Sequence, residues 1–307
     1  MKKSVILLTF LVLFIMSGVY AQDNEITKEA SSSEYVKNHA TVTNPYELLG
    51  GPVHVTINQE SGGVHVALPA YRELDPLIFG TPAMPKKFGG TPVVAGVPLK
   101  MRDKEGDRYT KMNTVSPFGN KYMIMKNGKL SIDAMDVTAT DAAKTDDKVK
   151  MDASWQDDQG NTYEIKCCDA MASHGIDYPT FGGVVTNVIL HGFSGIGTPL
   201  MPSEYTYFAF WGMGKVLKNG KVLDEPRLIH GMLTEYVRKE DYKLAWDKGV
   251  TPEKRHFHLI SVPMKPDMKN FSMSESPVNT GFNMKNGKTL PFWHVMFDDL
   301  TINSDRK

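Results

Sequence analysis

The sequence predicts an all-β protein, an antiparallel β-sandwich or barrel built from many hairpins. Three observations carry that expectation. Apolar and polar residues alternate with period two in segment after segment, as on a half-buried strand. Asn-Gly and Gly-Gly pairs punctuate those segments, and such pairs favour tight turns between strands. Long amphipathic helices are missing from the pattern; the best helical candidate is roughly 239–247, and it is short.

Lys2 and Lys3 precede an apolar run from Val5 to Met16, which ends in Ser17-Gly18-Val19-Tyr20-Ala21. A basic start, an apolar stretch and a small-x-small end are the features of a cleaved secretory signal over 1–21, cut after Ala21. The run is too short to span a bilayer comfortably, and no later apolar stretch is long enough for a membrane span. The expected location is the periplasm or the outside of the cell. The mature chain would hold 286 residues (307 minus 21). Residues 22–47 are polar and Ser-rich and read as a flexible leader, so the β domain runs over 48–307.

Lys plus Arg and Asp plus Glu both number 35, and no basic stripe stands out. That balance gives no pull toward nucleic acid or anionic membrane. Cys167 and Cys168 are the two cysteines, and they are adjacent. Neighbours on a strand point to opposite faces, so the expectation is one inward and one outward thiol rather than a disulfide framework, with metal ligation or a strained vicinal disulfide as the alternatives.

Along the chain, Val53, Val55 and Ile57, then Val64, Val66 and Leu68, alternate on either side of Asn58–Gly63. This reads as a hairpin with His54 and His65 on one face. Residues 69–100 carry six prolines and read as an irregular segment that covers something. Asn127-Gly128 suggests a second hairpin, and the same Lys-Asn-Gly-Lys tetrapeptide recurs at 218–221 and 285–288. A small, charged stretch over 139–148 marks a candidate lobe boundary. Val149, Met151, Ala153 and Trp155, then Tyr163, Ile165 and Cys167, give two more strands. Ser194 lacks the following glycine of a nucleophile elbow, because Ile196 stands there. Gly195 and Gly197 lack the third glycine of a dinucleotide loop.

Tyr205–Pro263 is the segment richest in chemistry. His256 and His258 are two apart, so on a strand their imidazoles point together, ~6.5–7 Å apart along the chain. Such an arrangement lets two imidazoles ligate one zinc or copper ion, as in several β-scaffold sites. His230 alternates with Leu228 and Met232, and His294 with Phe292 and Met296, so both are further candidate ligands. Trp293, Val295 and Phe297 fill the other face of that last strand, as expected of a strand covered on both sides. The duller reading of each histidine is a hydrogen-bonded core imidazole. The His-x-His pair resembles that of cupins and of α-type carbonic anhydrases over three residues. Leu259–Met268 contains no counterpart of the cupin glutamate, and the further carbonic anhydrase motif is absent, so neither family is assigned.

Met264, Met268 and Met273 follow the pair, and thioethers suit Cu(I), although Met also serves as a core filler. The acidic pairs Asp146-Asp147, Asp157-Asp158 and Asp298-Asp299 have the wrong geometry for a catalytic pair, because strand neighbours point apart. Glu235 is the more plausible lone acid or base. An alternative site is aromatic: Tyr205, Tyr207 and Ala209 would share one face that Trp211 extends, fit to stack on a glycan or line a small-molecule cavity. The sequence therefore supports an exported β protein that holds a transition-metal ion through strand histidines, with a ligand-binding or structural β domain as the alternative.

Overall fold

The computed structural model describes residues 53–86, 97, 99–137, 147–168, 184–194, 197–245, 249–267 and 272–306. The expected signal and leader segments, most of 139–148, and Met268 lie outside them. One antiparallel sheet dominates. Its chain order begins with β1 (Val53–Gln59), β2 (Val64–Ala67), β6 (Tyr122–Asp136), β7 (Lys148–Gln156) and β8 (Thr162–Cys167). It continues with β9 (Val184–Leu190), β10 (Glu204–Lys218), β11 (Lys221–Tyr236), β12 (Thr251–Ser261), β15 (Trp293–Phe297) and β16 (Thr301–Arg306).

The spatial order β6-β2-β15-β12-β11-β10-β8-β7 returns to β6, because β7 also pairs with β6. Eight antiparallel strands thus close into a barrel. The two strands flanking 139–148 are therefore neighbours in one sheet. β1 and β16 extend the sheet beyond one edge of β6, and β9 pairs with the first half of β10.

Alternation decides the two faces. Trp155, Tyr163, Phe210, Phe257, Leu259, Trp293, Val295 and Phe297 belong to one buried cluster. Trp155 and Trp293 meet edge-on at 5.1 Å between centroids, and Tyr163 lies 5.3 Å from Trp293. An eight-stranded barrel is just wide enough for side chains to fill it, and these rings do so. Gly231 makes two of them fit. A Cβ there would overlap the rings of Phe210 and Phe257.

Two expected hairpins turn out differently. β1 and β2 do not pair with each other; both run antiparallel to β6, β1 along 130–136 and β2 along 122–125. Asn58–Gly63 is therefore a corner, not a reversal, and His54 and His65 do not meet. Asn127-Gly128 lies inside continuous β6 as an irregularity, with Asn127 at φ 52°. Gly128 N donates to Gly62 O there, and a Cβ on Gly128 would overlap Val64, so the two glycine corners nest together. Only Asn219-Gly220 makes the tight β10–β11 hairpin, with both residues at positive φ.

The aromatic face also divides. A bulge between Thr206 and Phe208 shifts the register of β10. Tyr205 and Tyr207 pack in the main core with Phe208 and Phe210, whereas Ala209 packs in a separate cluster with Val185, Leu190 and Met232. Cys167 and Cys168 form a disulfide instead of two thiols. Cys168 lies past the end of β8 and adopts φ 56°, so the strand rule that separates neighbouring side chains no longer applies to it.

A second layer covers part of the barrel's outside. β3 (Ala70–Glu73), β5 (Arg108–Ser116) and β4 (Arg102–Glu105) form a small sheet. The short helix α1 (Pro76–Phe79), N-capped by Asp75, packs with Leu74, Val97, Tyr109, Met112 and Leu200. A further two-stranded sheet joins β13 (Met264–Asp267) and β14 (Ser272–Glu275). No helix among the described residues is long and apolar enough to cross a membrane. Gly231→Ala is expected to lower stability by about 1–3 kcal/mol through overpacking, read as a lower denaturant midpoint with unchanged slope.

Candidate functional site

The outer face of β2, β15, β12 and β11 carries an unusual set of polar side chains. Register places them together. Met232 and Thr234 on β11 oppose His258 and His256 on β12. His258 and Ile260 oppose Met296 and His294 on β15, and Met296 opposes His65 on β2. Their strand neighbours Phe257, Leu259, Val295 and Val66 fill the barrel, so the imidazoles must point outward.

The covering layer buries them. Ser116 ends β5, and the next residues cross the histidines before β6 begins. His294 Nδ1 donates to Pro117 O at 3.0 Å, and the Phe118 ring meets His294 edge-on at 5.7 Å. Arg238 Nη1 donates to Gly119 O at 3.0 Å, and Leu244 N donates to Asn120 Oδ1. His256, His258 and His294 are at most 1 % exposed as a result.

Three of the four expected ligands form a chain. His294 Nε2 lies 3.0 Å from His258 Nδ1, and His258 Nε2 lies 2.8 Å from His256 Nε2. His256 Nδ1 faces Asp298 Oδ1 at 3.6 Å, and Asp298 Oδ2 lies 3.0 Å from His65 Nδ1. His65 stacks on Tyr242 at 3.5 Å. His230 stands apart on the same face: its Nδ1 donates to Phe210 O at 2.7 Å, and its ring stacks on Trp211 at 4.0 Å.

Protons in this chain can be counted. Between Pro117 O and Asp298 there are four contacts, each of which is attractive only with a hydrogen in it. Three neutral imidazoles supply three N–H groups. Either direction of tautomers leaves one contact without a hydrogen. Val237 N–H also donates to His256 Nε2 at 3.3 Å, which favours Nε2 as an acceptor and directs the His256 hydrogen toward Asp298.

Electrostatics sharpen the shortage. Burial would raise the Asp298 carboxyl, but bonding and charge from His256 and His65 outweigh it and hold it well below the usual range. Burial lowers His258 well below an ordinary imidazole, with His256 and His294 adding to the effect. Burial and then the Arg238 charge bring His294 down to about 3. Burial also lowers His256, against the pull of Asp298. His230 falls to about 4 through burial, opposed by the Phe210 carbonyl. The imidazoles are therefore neutral at neutral pH, each with one unprotonated ring nitrogen.

Several of these residues escape a sequence reading. Asp298 continues the His294, Met296 alternation, and that spacing was the signal available for it. His65 is called in by pairing alone. His191 and Glu204 belong to the ends of strands and carry no periodic signal. Arg238 follows β11 and is fully buried against the same cluster, and burial lowers its pKa. Glu235 accepts from Tyr205 N at 3.0 Å, apart from the histidines, and Arg255 lies over the Tyr207 ring at 4.0 Å. Tyr205 and Tyr207 are buried, at 3 % and 1 % exposure, so no stacking surface is open at them. Among the described residues no three side chains of His, Cys, Asp and Glu converge on one point fit for an ion. The sequence matches no protein-family model, no curated protein and no solved structure.

Two outcomes follow. An imidazole held neutral in the fold binds its proton more tightly when unfolded. Stability is then complete above pH ~6.5 and lost as pH falls toward the folded values of about 3 to 4, by about 1.4 kcal/mol per pH unit for each such imidazole. Denaturant midpoints measured from pH 7 to 5 should fall steeply. Asp298→Ala is expected to cost roughly 1–3 kcal/mol at pH 7, because His256 and His65 lose their acceptor.

Proposed function

We propose that this protein is an exported β-barrel that binds a transition-metal ion, zinc or copper, through His256 and His258. One observation carries the reading: three end-to-end imidazoles between a carbonyl and a carboxylate have one N–H too few for their four contacts. A cation is what such a chain lacks. Burial and Arg238 oppose a proton there. A metal ion differs from a proton because it takes the lone pairs of two imidazoles at once, which offsets the same burial cost with two coordinate bonds.

The fit requires a small movement. Two nitrogens on one tetrahedral ion at ~2.0 Å stand ~3.3 Å apart. His256 Nε2 and His258 Nε2 are 2.8 Å apart, so an opening of about half an ångström admits the ion. His294 and Asp298 contact the far ring nitrogens of the pair, His258 Nδ1 and His256 Nδ1, and so orient the two imidazoles rather than ligate the ion. His230, held by Phe210 and Trp211, belongs to the same face without contact to the pair. Export rests on the sequence pattern of residues 1–21.

The second reading is a structural role, in which the chain fastens the covering segment to the barrel. The His294–Pro117 and Arg238–Gly119 bonds favour it. Metal analysis of untagged mature protein separates the two. The expected result is near-stoichiometric zinc or copper at the pair, with that equivalent lost in the double variant His256→Gln/His258→Gln. A metal-free parent that also takes up none on addition would leave only the structural role.

A further inference from the structure

A second group of donors lies on the same buried face and shares no residue with the His256–His258 pair. His191 follows β9 directly, Met232 is in the middle of β11, and Glu204 opens β10. His191 Nε2 lies 3.4 Å from Met232 Sδ and 3.6 Å from Glu204 Oε1. All three are buried, at 6 %, 2 % and 1 % exposure. One ring nitrogen thus faces both a thioether and a carboxylate. A single N–H points well at only one of them, whereas a cation beside the ring nitrogen is attracted to both.

The distances fit that geometry. Metal–nitrogen and metal–sulfur bonds of ~2.0 and ~2.3 Å at trigonal to tetrahedral angles put N and S ~3.5 Å apart. Nitrogen and carboxylate oxygen come out ~3.3–3.6 Å apart on the same basis. Both observed separations are close to these values without rearrangement. The imidazole is also held in place. His191 adopts φ 63°, a left-handed conformation that a non-glycine residue keeps only where its surroundings impose it. Gly197 packs so closely on its ring that a Cβ there would overlap it. Burial, with the neighbouring His230, keeps the imidazole unprotonated at neutral pH, at about 3.

The donor chemistry selects the metal. A thioether is soft and uncharged, and it binds Cu(I) far better than zinc, calcium or magnesium. We infer that His191, Met232 and Glu204 form a site for a monovalent soft cation, Cu(I), on the outer face of the barrel. The site goes beyond the His256–His258 reading and stands without it.

The test is anaerobic Cu(I) titration of the mature full-length protein against a chromophoric Cu(I) chelator, with X-ray absorption on the loaded parent. Met232→Leu keeps the volume and apolar character of the core and removes only the sulfur. His191→Gln is the second variant, and denaturant unfolding checks that each folds. The expected results are a bound Cu(I) with a copper–sulfur scattering shell at ~2.3 Å, and for that sulfur-ligated ion an affinity weakened about tenfold or more in both variants. His256→Gln/His258→Gln should keep the sulfur shell. No Cu(I) uptake by the parent, no sulfur shell, or unchanged affinity in Met232→Leu would each overturn the inference. Copper lost in the double histidine variant but kept in Met232→Leu would overturn it while leaving the His256–His258 reading standing. Zinc uptake without Cu(I) uptake would do the same.

Discussion

β6 is hydrogen-bonded along both edges, and the rest of the structure depends on that double pairing. One edge takes β7, and the other takes β2 and then β1. The sheet therefore closes instead of ending, and eight strands enclose a space that Trp155, Trp293, Tyr163 and Phe257 fill. Closure also fixes what lies outside. With the interior occupied by large rings, the alternate residues of β2, β15, β12 and β11 have nowhere to go but outward. Those residues include His65, His294, His256, His258, His230 and Met232.

An outward imidazole would ordinarily meet water. Here the segment between β5 and β6, the turn after β11 and the residues around His191 lie over the face and exclude it. Burying this many polar groups is favourable only if each finds a partner. The solution is a shared network in which carbonyls of Pro117, Gly119 and Phe210 accept from His294, Arg238 and His230. Asp298 stands between His256 and His65. The network has more acceptors than hydrogens along the three-histidine chain. It sets a soft thioether beside a carboxylate at His191. The two proposed cation sites rest on these two features, which arise from different residues.

Local sequence carried the face assignments well wherever a strand is regular. His256 with His258, and His294 with Met296 opposite Trp293 and Phe297, lie on the faces that alternation predicts. It failed where one residue of irregularity enters. The bulge at Tyr207 moves Ala209 to the face opposite the one the spacing implies. Lys-Asn-Gly-Lys shows the same limit. At 218–221 it is a tight hairpin, at 126–129 an irregularity inside a strand, and at 285–288 the turn of a small loop closed by Met284 and Lys288. Asn-Gly tolerates positive φ in all three settings, and the partner strand selects among them.

The sequence by itself determined the all-β class, the strands, and which side chains of each strand share a face, because these follow from the two-residue period of the backbone. Tertiary structure decided which strands are neighbours, that the sheet closes into a barrel, and that Asp298, His65, Arg238, His191 and Glu204 join the histidines. Those contacts link residues far apart in the chain, such as Pro117 with His294 and Arg238 with Gly119. No local pattern encodes them; only register and the covering layer bring such residues within bonding distance.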